Sequence, residues 1–399
     1  MYRNLFIFSL IFIQPAVMAE EYGIDTTGYE TIQFKDEQIL VDALEQIQSG
    51  DIDGAIETLK GIVEAYPTYR LGQLIYADIL LSKRAPIREF GNYQSAPYDQ
   101  ISSLLDEART RLHFQKSPPP VDKIPDSLAM MSENQDYAII VDMSVSRLFI
   151  YQNNNGVPEY IDDFYTTIGK NGTRKMLEGD QRTPVGVYFV TSPIDPQKLP
   201  DLYGIGGFAI DYPNVWDKRH GRTGYGIWLH GTPSHTLNRA PRASDGCVVL
   251  SNGDLEAIAP YIKGDTPVLL AEKIEWVEKQ QWLRKQEDYE FVIDQWKRDW
   301  ESRNADKYLS HYSTTYSGLG MDYQAWVNYK KRVNPSKRYI KIGISEKSIF
   351  SYPGEPGVIV VTFKQRYESD NLVREFRKRQ YWRKEQDGQW RIIYEGSVS

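Results

Sequence analysis

The run R-A-S-D-G-C-V-V-L-S-N at residues 242–252 holds Cys247, the only cysteine in a chain of 399 residues. A lone thiol closes no disulfide within the chain, so its use is either packing, as a small buried hydrophobe, or chemistry. Its neighbours favour chemistry. Ser244-Asp245-Gly246 is a turn-forming run that places the thiol where a loop enters a strand. Gly246 allows another group to approach closely. Together with Cys247 it offers two backbone N–H groups that can hold an oxyanion. His230 closes the apolar run "GIWLH" upstream, and Lys218, Arg219, Arg222, Arg239 and Arg242 follow one another with no acid among them. Positive charge and an imidazole depress a thiol pKa, so the pattern makes Cys247 a candidate nucleophile with His230 as the nearby imidazole. A metal centre is not expected. The chain has five histidines, and the nearest pair to the thiol, His230 and His235, is separated by Pro233. No cofactor is expected either.

The elements that must carry these residues change character along the chain. Residues 36–84 place Ala43, Ile47, Ala55, Leu59, Ile62 and Val63 at helical spacings, with Gly50-Asp51 as a break and Pro67 as a stop. One tetratricopeptide-like unit is legible there. A small helical domain packed on its neighbour is one reading, and a repeat that binds a protein partner is the other. The stretch "QKSPPPVDKIPDSLAMMSENQ" has no periodicity and reads as a linker or an extended wrapping segment. From residue 137 short strands take over: 137–152, "TPVGVYFVT", "GFAIDYP", "GIWLHG", "GCVVLSN" and "TPVLLAE", with a helix at 252–262 capped by Asn252 or Asp254. Many strands and a single helix predict a β-rich sandwich or barrel.

A long amphipathic helix over 274–304 follows, with Trp276, Trp282, Tyr289, Phe291, Trp296 and Trp300 on one side. After it come a second helix and four strands. Helices first and a curved antiparallel sheet afterwards make an α+β cone. Its closing Tyr-Trp-Arg-Lys and Gly-Gln-Trp-Arg-Ile-Ile-Tyr resemble the nuclear transport factor-like (SnoaL-like) superfamily, a fold that specifies a pocket rather than a chemistry. The limits read from the sequence are 1–19, 30–115 (helical), 116–135 (proline-rich linker), 136–272 (β-rich domain) and 273–399 (cone).

The stretch "GIWLHGTPSHTLNRAPRASDGCVVLSN" resembles the signature of the L,D-transpeptidase catalytic domain of the YkuD type: His-Gly, a loop, then Ser-His-Gly-Cys. "TTIGKNG" and "GDQRTPVGVYFV" upstream agree with it in order. The resemblance covers residues 135–272. It implies that Cys247 is the nucleophile, that His230 is the general base with the Gly231 carbonyl orienting its ring, and that the Gly246 and Cys247 amides form the oxyanion hole. It further implies a substrate: the stem tetrapeptide of peptidoglycan, attacked at the L-centre of diaminopimelate so that terminal D-Ala leaves. Arg242 and Arg239 are then candidates to grip a substrate carboxylate, beside Ser244 and Asp245. Asp245 departs from the usual His, and Val249 from the usual Arg or Asn. The family implication is transfer of the acyl group to an amine. The alternative is water, giving an L,D-carboxypeptidase, because the three-part layout looks like the subgroup that includes cell-shape L,D-carboxypeptidases. A non-catalytic cell-wall-binding scaffold is the alternative of a different class.

Arg3, the apolar run from Leu5 to Ile13 and Val17-Met18-Ala19 predict a cleavable signal peptide and a periplasmic destination, with no transmembrane segment in the mature chain. A net charge of −7 argues against nucleic acid as a partner.

Overall fold

The computed structural model describes residues 37–86, 89–91, 97–120 and 122–398; the signal-peptide segment lies outside them. No helix among the described residues is long and apolar enough to cross a membrane.

Four helices open the described chain: α1 (Glu37–Ser49), α2 (Ile52–Ala65), α3 (Arg70–Ser82) and α4 (Tyr98–Lys116). Asp51 caps α2 by accepting from the Gly54 N–H at 3.0 Å, and α2 ends just before Pro67. Leu40, Ala43, Ala55, Leu59, Ile62, Leu71 and Ile75 lie in the bundle's core. Of the predicted stripe, Ala43, Ala55, Leu59 and Ile62 are in it, Ile47 packs against it and Val63 is half-buried outside it.

An eight-stranded mixed sheet follows. Its strands are β1 (Tyr137–Asp142), β2 (Arg147–Asn154), β3 (Val157–Tyr165), β4 (Gly186–Ile194), β5 (Gly207–Ile210), β6 (Trp228–His230), β7 (Val248–Val249) and β8 (Pro267–Ala271). They lie in the order β7-β6-β5-β4-β8-β1-β2-β3, antiparallel except for β7–β6 and β8–β1. Both faces of its middle are buried. Ile139, Val141, Val268 and Leu270 enter one core, while Ala138, Ile140, Leu269 and Ala271 enter another. That is why β1 reads as a nearly unbroken apolar run. Two short helices, α5 (Val215–Arg219) and α6 (Asn252–Ile258), sit in the connections. The cap of α6 is Ser251, whose hydroxyl accepts from the Asp254 N–H at 3.0 Å; Asn252, expected as a cap, is used elsewhere.

The C-terminal part holds α7 (Lys279–Glu301), α8 (Ala305–Leu309), α9 (Tyr323–Ser336) and the antiparallel sheet β9 (Ile340–Ser351), β10 (Val358–Ser369), β11 (Leu372–Lys384) and β12 (Trp390–Ser397). One face of this sheet receives the α7 aromatics Tyr289, Trp296 and Trp300. The other puts Phe350, Val358, Val360 and Tyr381 into the core beneath the eight-stranded sheet. Phe291, expected on the buried side of α7, is 65% exposed. The proline-rich segment wraps: Ile124–Pro125 pairs with Trp276–Val277, and Leu128, Ala129 and Met131 are buried.

Candidate active site

The parallel pairing of β6 with β7 brings the two chemically suited residues together. Leu229 lies opposite Val248 and His230 opposite Val249, so Cys247 enters β7 one step before the pair that holds His230's strand. The Leu250 N–H closes the ladder on the His230 carbonyl at 2.9 Å. Adjacent strands run about 4.8 Å apart, so the pairing carries Cys247 and His230 on neighbouring strands at the sheet's edge.

His230 is buried, and its Nδ1 lies 2.7 Å from the Gly231 carbonyl oxygen. A carbonyl can only accept, so Nδ1 carries the hydrogen and Nε2 is left to take a proton. Burial pushes its pKa down to about 4. The Arg239 charge adds to that, and the bond to Gly231 opposes it. The Cys247 side chain is half-buried and its thiol donates to the Gly226 carbonyl at 3.3 Å. Burial pushes the thiol up to about 11; Asp245 adds, while the Trp228 N–H, Arg239 and Lys175 pull the other way. The expected depressed thiol is therefore corrected. At rest the pair is neutral thiol and neutral imidazole, because desolvation outweighs the positive charges.

The expected positive cluster is also mostly elsewhere. Arg222 pairs with Asp217 at 3.0 Å and Glu355 at 3.3 Å, and Arg219 reaches the Thr315 carbonyl at 2.7 Å, both facing the C-terminal part. Lys218 and Arg242 are exposed. Of the five, Arg239 is the one whose charge acts on the thiol. Lys175 joins it, buried and bound to Asp180 at 2.8 Å, a cation that nothing in the local sequence singled out. Asp245 points outward, 73% exposed, with Lys170 at 2.9 Å and Gln181 at 3.3 Å. Lys170 thus holds the unusual carboxylate away from the sulfur. His235 is exposed beside Asp201.

The turn before the thiol is fixed by Ser244. Its hydroxyl donates to the Cys247 carbonyl at 2.6 Å and accepts the Gly246 N–H at 3.1 Å. That bond corrects the expectation of a free Gly246 donor for an oxyanion, since its N–H is already engaged. Glycine is nevertheless required there: φ is +128°, and a Cβ would meet the Arg182 carbonyl oxygen at 2.8 Å. Thr183 braces the same turn, donating to the Gly246 carbonyl at 3.0 Å and accepting the Gly169 N–H at 2.8 Å. This gives the Thr of "GDQRTPVG" a mechanical role. Asn252 braces the histidine side by accepting from the Ile205 N–H at 3.2 Å and donating to the Thr232 carbonyl at 2.9 Å. Gly204 and Gly231 make room for it, since a Cβ on either would lie 2.1 Å from its Oδ1. Tyr203, which the sequence did not single out, packs edge-on against His230 with ring centroids 5.0 Å apart.

The L,D-transpeptidase catalytic domain family (YkuD) matches residues 136–270, and the Cds6 C-terminal NTF2-like domain family matches residues 290–396. Among solved structures, Bd1075 from Bdellovibrio bacteriovorus is 32% identical, with 69% of this chain and 98% of that chain covered and a TM-score of 0.62. The helical cell shape determining protein Pgp2 from Campylobacter jejuni is 25% identical, with 69% of this chain and 96% of that chain covered and a TM-score of 0.58. Among curated proteins no relative matches.

Proposed function

Because the chain belongs to the L,D-transpeptidase (YkuD) family, with a C-terminal NTF2-like domain, we propose that it cleaves the diaminopimelate–D-Ala bond of peptidoglycan stem tetrapeptides through a thioester on Cys247. The observation that carries this reading is the pairing of the two strands that bear Cys247 and His230, with His230 Nδ1 tied to Gly231. As the substrate carbonyl approaches, His230 Nε2 takes the thiol proton and the sulfur attacks. The neutral resting pair makes this general-base attack, not reaction of a standing thiolate. The Cys247 N–H faces the developing oxyanion. The C–N bond breaks, the D-Ala amine takes the proton from His230, and the acyl group remains on sulfur. Arg239, beside the thiol, is placed to meet a substrate carboxylate; Arg242 lies further out on the exposed rim.

For the second half-reaction we favour water, activated by His230, so that tetrapeptide becomes tripeptide. The three-part layout resembles the subgroup that includes cell-shape L,D-carboxypeptidases, and the similarity to Pgp2 supports a part in cell shape. The signal peptide over 1–19, a periplasmic site of action and domain limits at 30–115, 136–272 and 273–399 are part of the same reading.

Disaccharide-tetrapeptide incubated with the mature protein, with and without an added D-amino acid, tests both halves by mass spectrometry. Tripeptide alone is the expected product. Exchange of the added D-amino acid or a cross-linked dimer would transfer the reading to an amine acceptor. Unchanged tetrapeptide would remove it.

A further inference from the structure

The segment between His230 and Cys247 does not rest on its own domain alone. Leu237, 4% exposed, joins the core formed by Leu40, Ala43, Leu59, Ile75 and Ala108, and among the described residues it is the one member of that core from beyond the N-terminal segment. Its carbonyl accepts from the Thr232 hydroxyl at 3.2 Å, so the loop after His230 is closed on the residue that is plugged into the bundle. Two residues on, the Arg239 carbonyl accepts from the Tyr165 hydroxyl at 3.1 Å and from the Thr167 hydroxyl at 3.2 Å. The ring of Tyr165 lies 3.8 Å beneath the guanidinium carbon of Arg111 on α4. Arg111 is itself held by Glu37 of α1 at 2.8 Å and Glu107 at 2.9 Å. The helices therefore grip the loop twice, once through an apolar plug and once through a stacked cation and a hydroxyl.

We infer that the N-terminal helical bundle positions the active-site loop through Leu237 and Tyr165, fixing the Arg239 backbone between His230 and Cys247, so that displacement of the bundle detunes the reaction. The inference rests on the reading of Cys247 as the nucleophile. Leu237 and Tyr165 are positioning residues, since neither reaches the reacting atoms. The charges that act on the thiol are those of Arg239 and Lys175, which favour the thiolate, and of the outward-pointing Asp245, which opposes it. Losing Arg239's place removes one of the two favourable charges. It is also a loss that a bundle serving only as a stability element would not cause. A partner bound to the helices would act on the thiol by the same route.

The test is the rate of Cys247 alkylation by iodoacetamide at pH 9, measured with tetrapeptide turnover on the full mature chain. In that range the rate follows the thiolate fraction. Leu237→Ala is expected to slow both on the order of tenfold, because small displacements at a reacting centre are costly, and Leu237→Met restores them. Tyr165→Phe keeps the ring under Arg111 and removes only the hydroxyl on the Arg239 carbonyl; it is expected to slow alkylation in the same direction, and it stands as the test if Leu237→Ala does not fold. Unchanged or faster alkylation in a folded variant would overturn the inference. Absence of turnover in the wild-type chain would sink the functional reading alone, leaving the alkylation comparison to judge the loop.

Discussion

Burial sets the protonation of both groups at the site, and it sets them against each other's charged forms. His230 is driven down to about 4 and Cys247 up to about 11, so the neutral pair persists over the whole span between. The sign follows for catalysis: kcat/KM needs His230 neutral and falls only as pH drops through about 4, with a flat profile from about pH 5 to 9. Alkylation, which needs the thiolate itself, should keep rising through pH 9. A plateau of alkylation near neutral pH would mean a preformed ion pair and would contradict this assignment. The sequence made the residue types legible, because a lone Cys after Gly and a strand-ending His are conspicuous. It did not make their pKa values legible, because desolvation depends on which neighbours close over them. Arg222 and Arg219 looked like thiol partners and instead belong to Asp217, Glu355 and the Thr315 carbonyl.

At the scale of elements, the site is a set of loops tied by side chains to strands that are otherwise ordinary. Asp180 shows how. Burial alone would raise its carboxyl, but Lys175 and the N–H groups of Leu177, Met176 and Arg182 hold it at about 2. A carboxyl depressed from its usual value near 4 adds stability above that value, and the contribution is lost as pH falls through about 2. Asp180→Asn should therefore cost about 2 kcal/mol at pH 7, by thermal unfolding, with the deficit closing as pH approaches 2. A constant deficit across that range would assign the loss to something other than the charge. The strand order was not legible in the sequence. A two-residue strand such as β7 carries no periodicity, and its parallel pairing with β6 comes from tertiary packing. The N-cap of α6 is expected at Asn252 or Asp254 and falls on Ser251, because Ser, Asn and Asp are all good caps. Only the fold shows that Asn252 spans the Gly204 and Gly231 loops instead.

Over the whole molecule, the catalytic and C-terminal parts share a core. Trp216 of α5 is fully buried and stacks on Tyr381 of β11, with centroids 5.3 Å apart and ring planes 7° apart. Asn214 donates to the Tyr352 hydroxyl at 3.3 Å, and Arg379 reaches Asp211 at 3.3 Å. Trp216→Ala should cost about 3–5 kcal/mol, and calorimetry should show both sheets melting together in the wild-type chain. Separate transitions unaffected by the substitution would show that the two parts are independent. The helix-then-sheet order of the C-terminal part was readable because its strands are long and its α7 aromatics recur on one face. That it buries its other face against the catalytic sheet was not, since β9–β11 carry apolar residues on both sides and sequence does not say what covers each.

In the proposed reaction Cys247 is the residue that takes the acyl group. A carbapenem presents a β-lactam carbonyl that a nucleophilic thiol of this family opens, and intact-protein mass spectrometry reads the adduct directly. The wild-type chain should gain the full mass of the carbapenem, mapped to the peptide holding Cys247. Cys247→Ala should stay unmodified, and His230→Ala should react slower by several orders of magnitude. An unmodified wild-type chain, or an equal adduct on Cys247→Ala, would contradict the account.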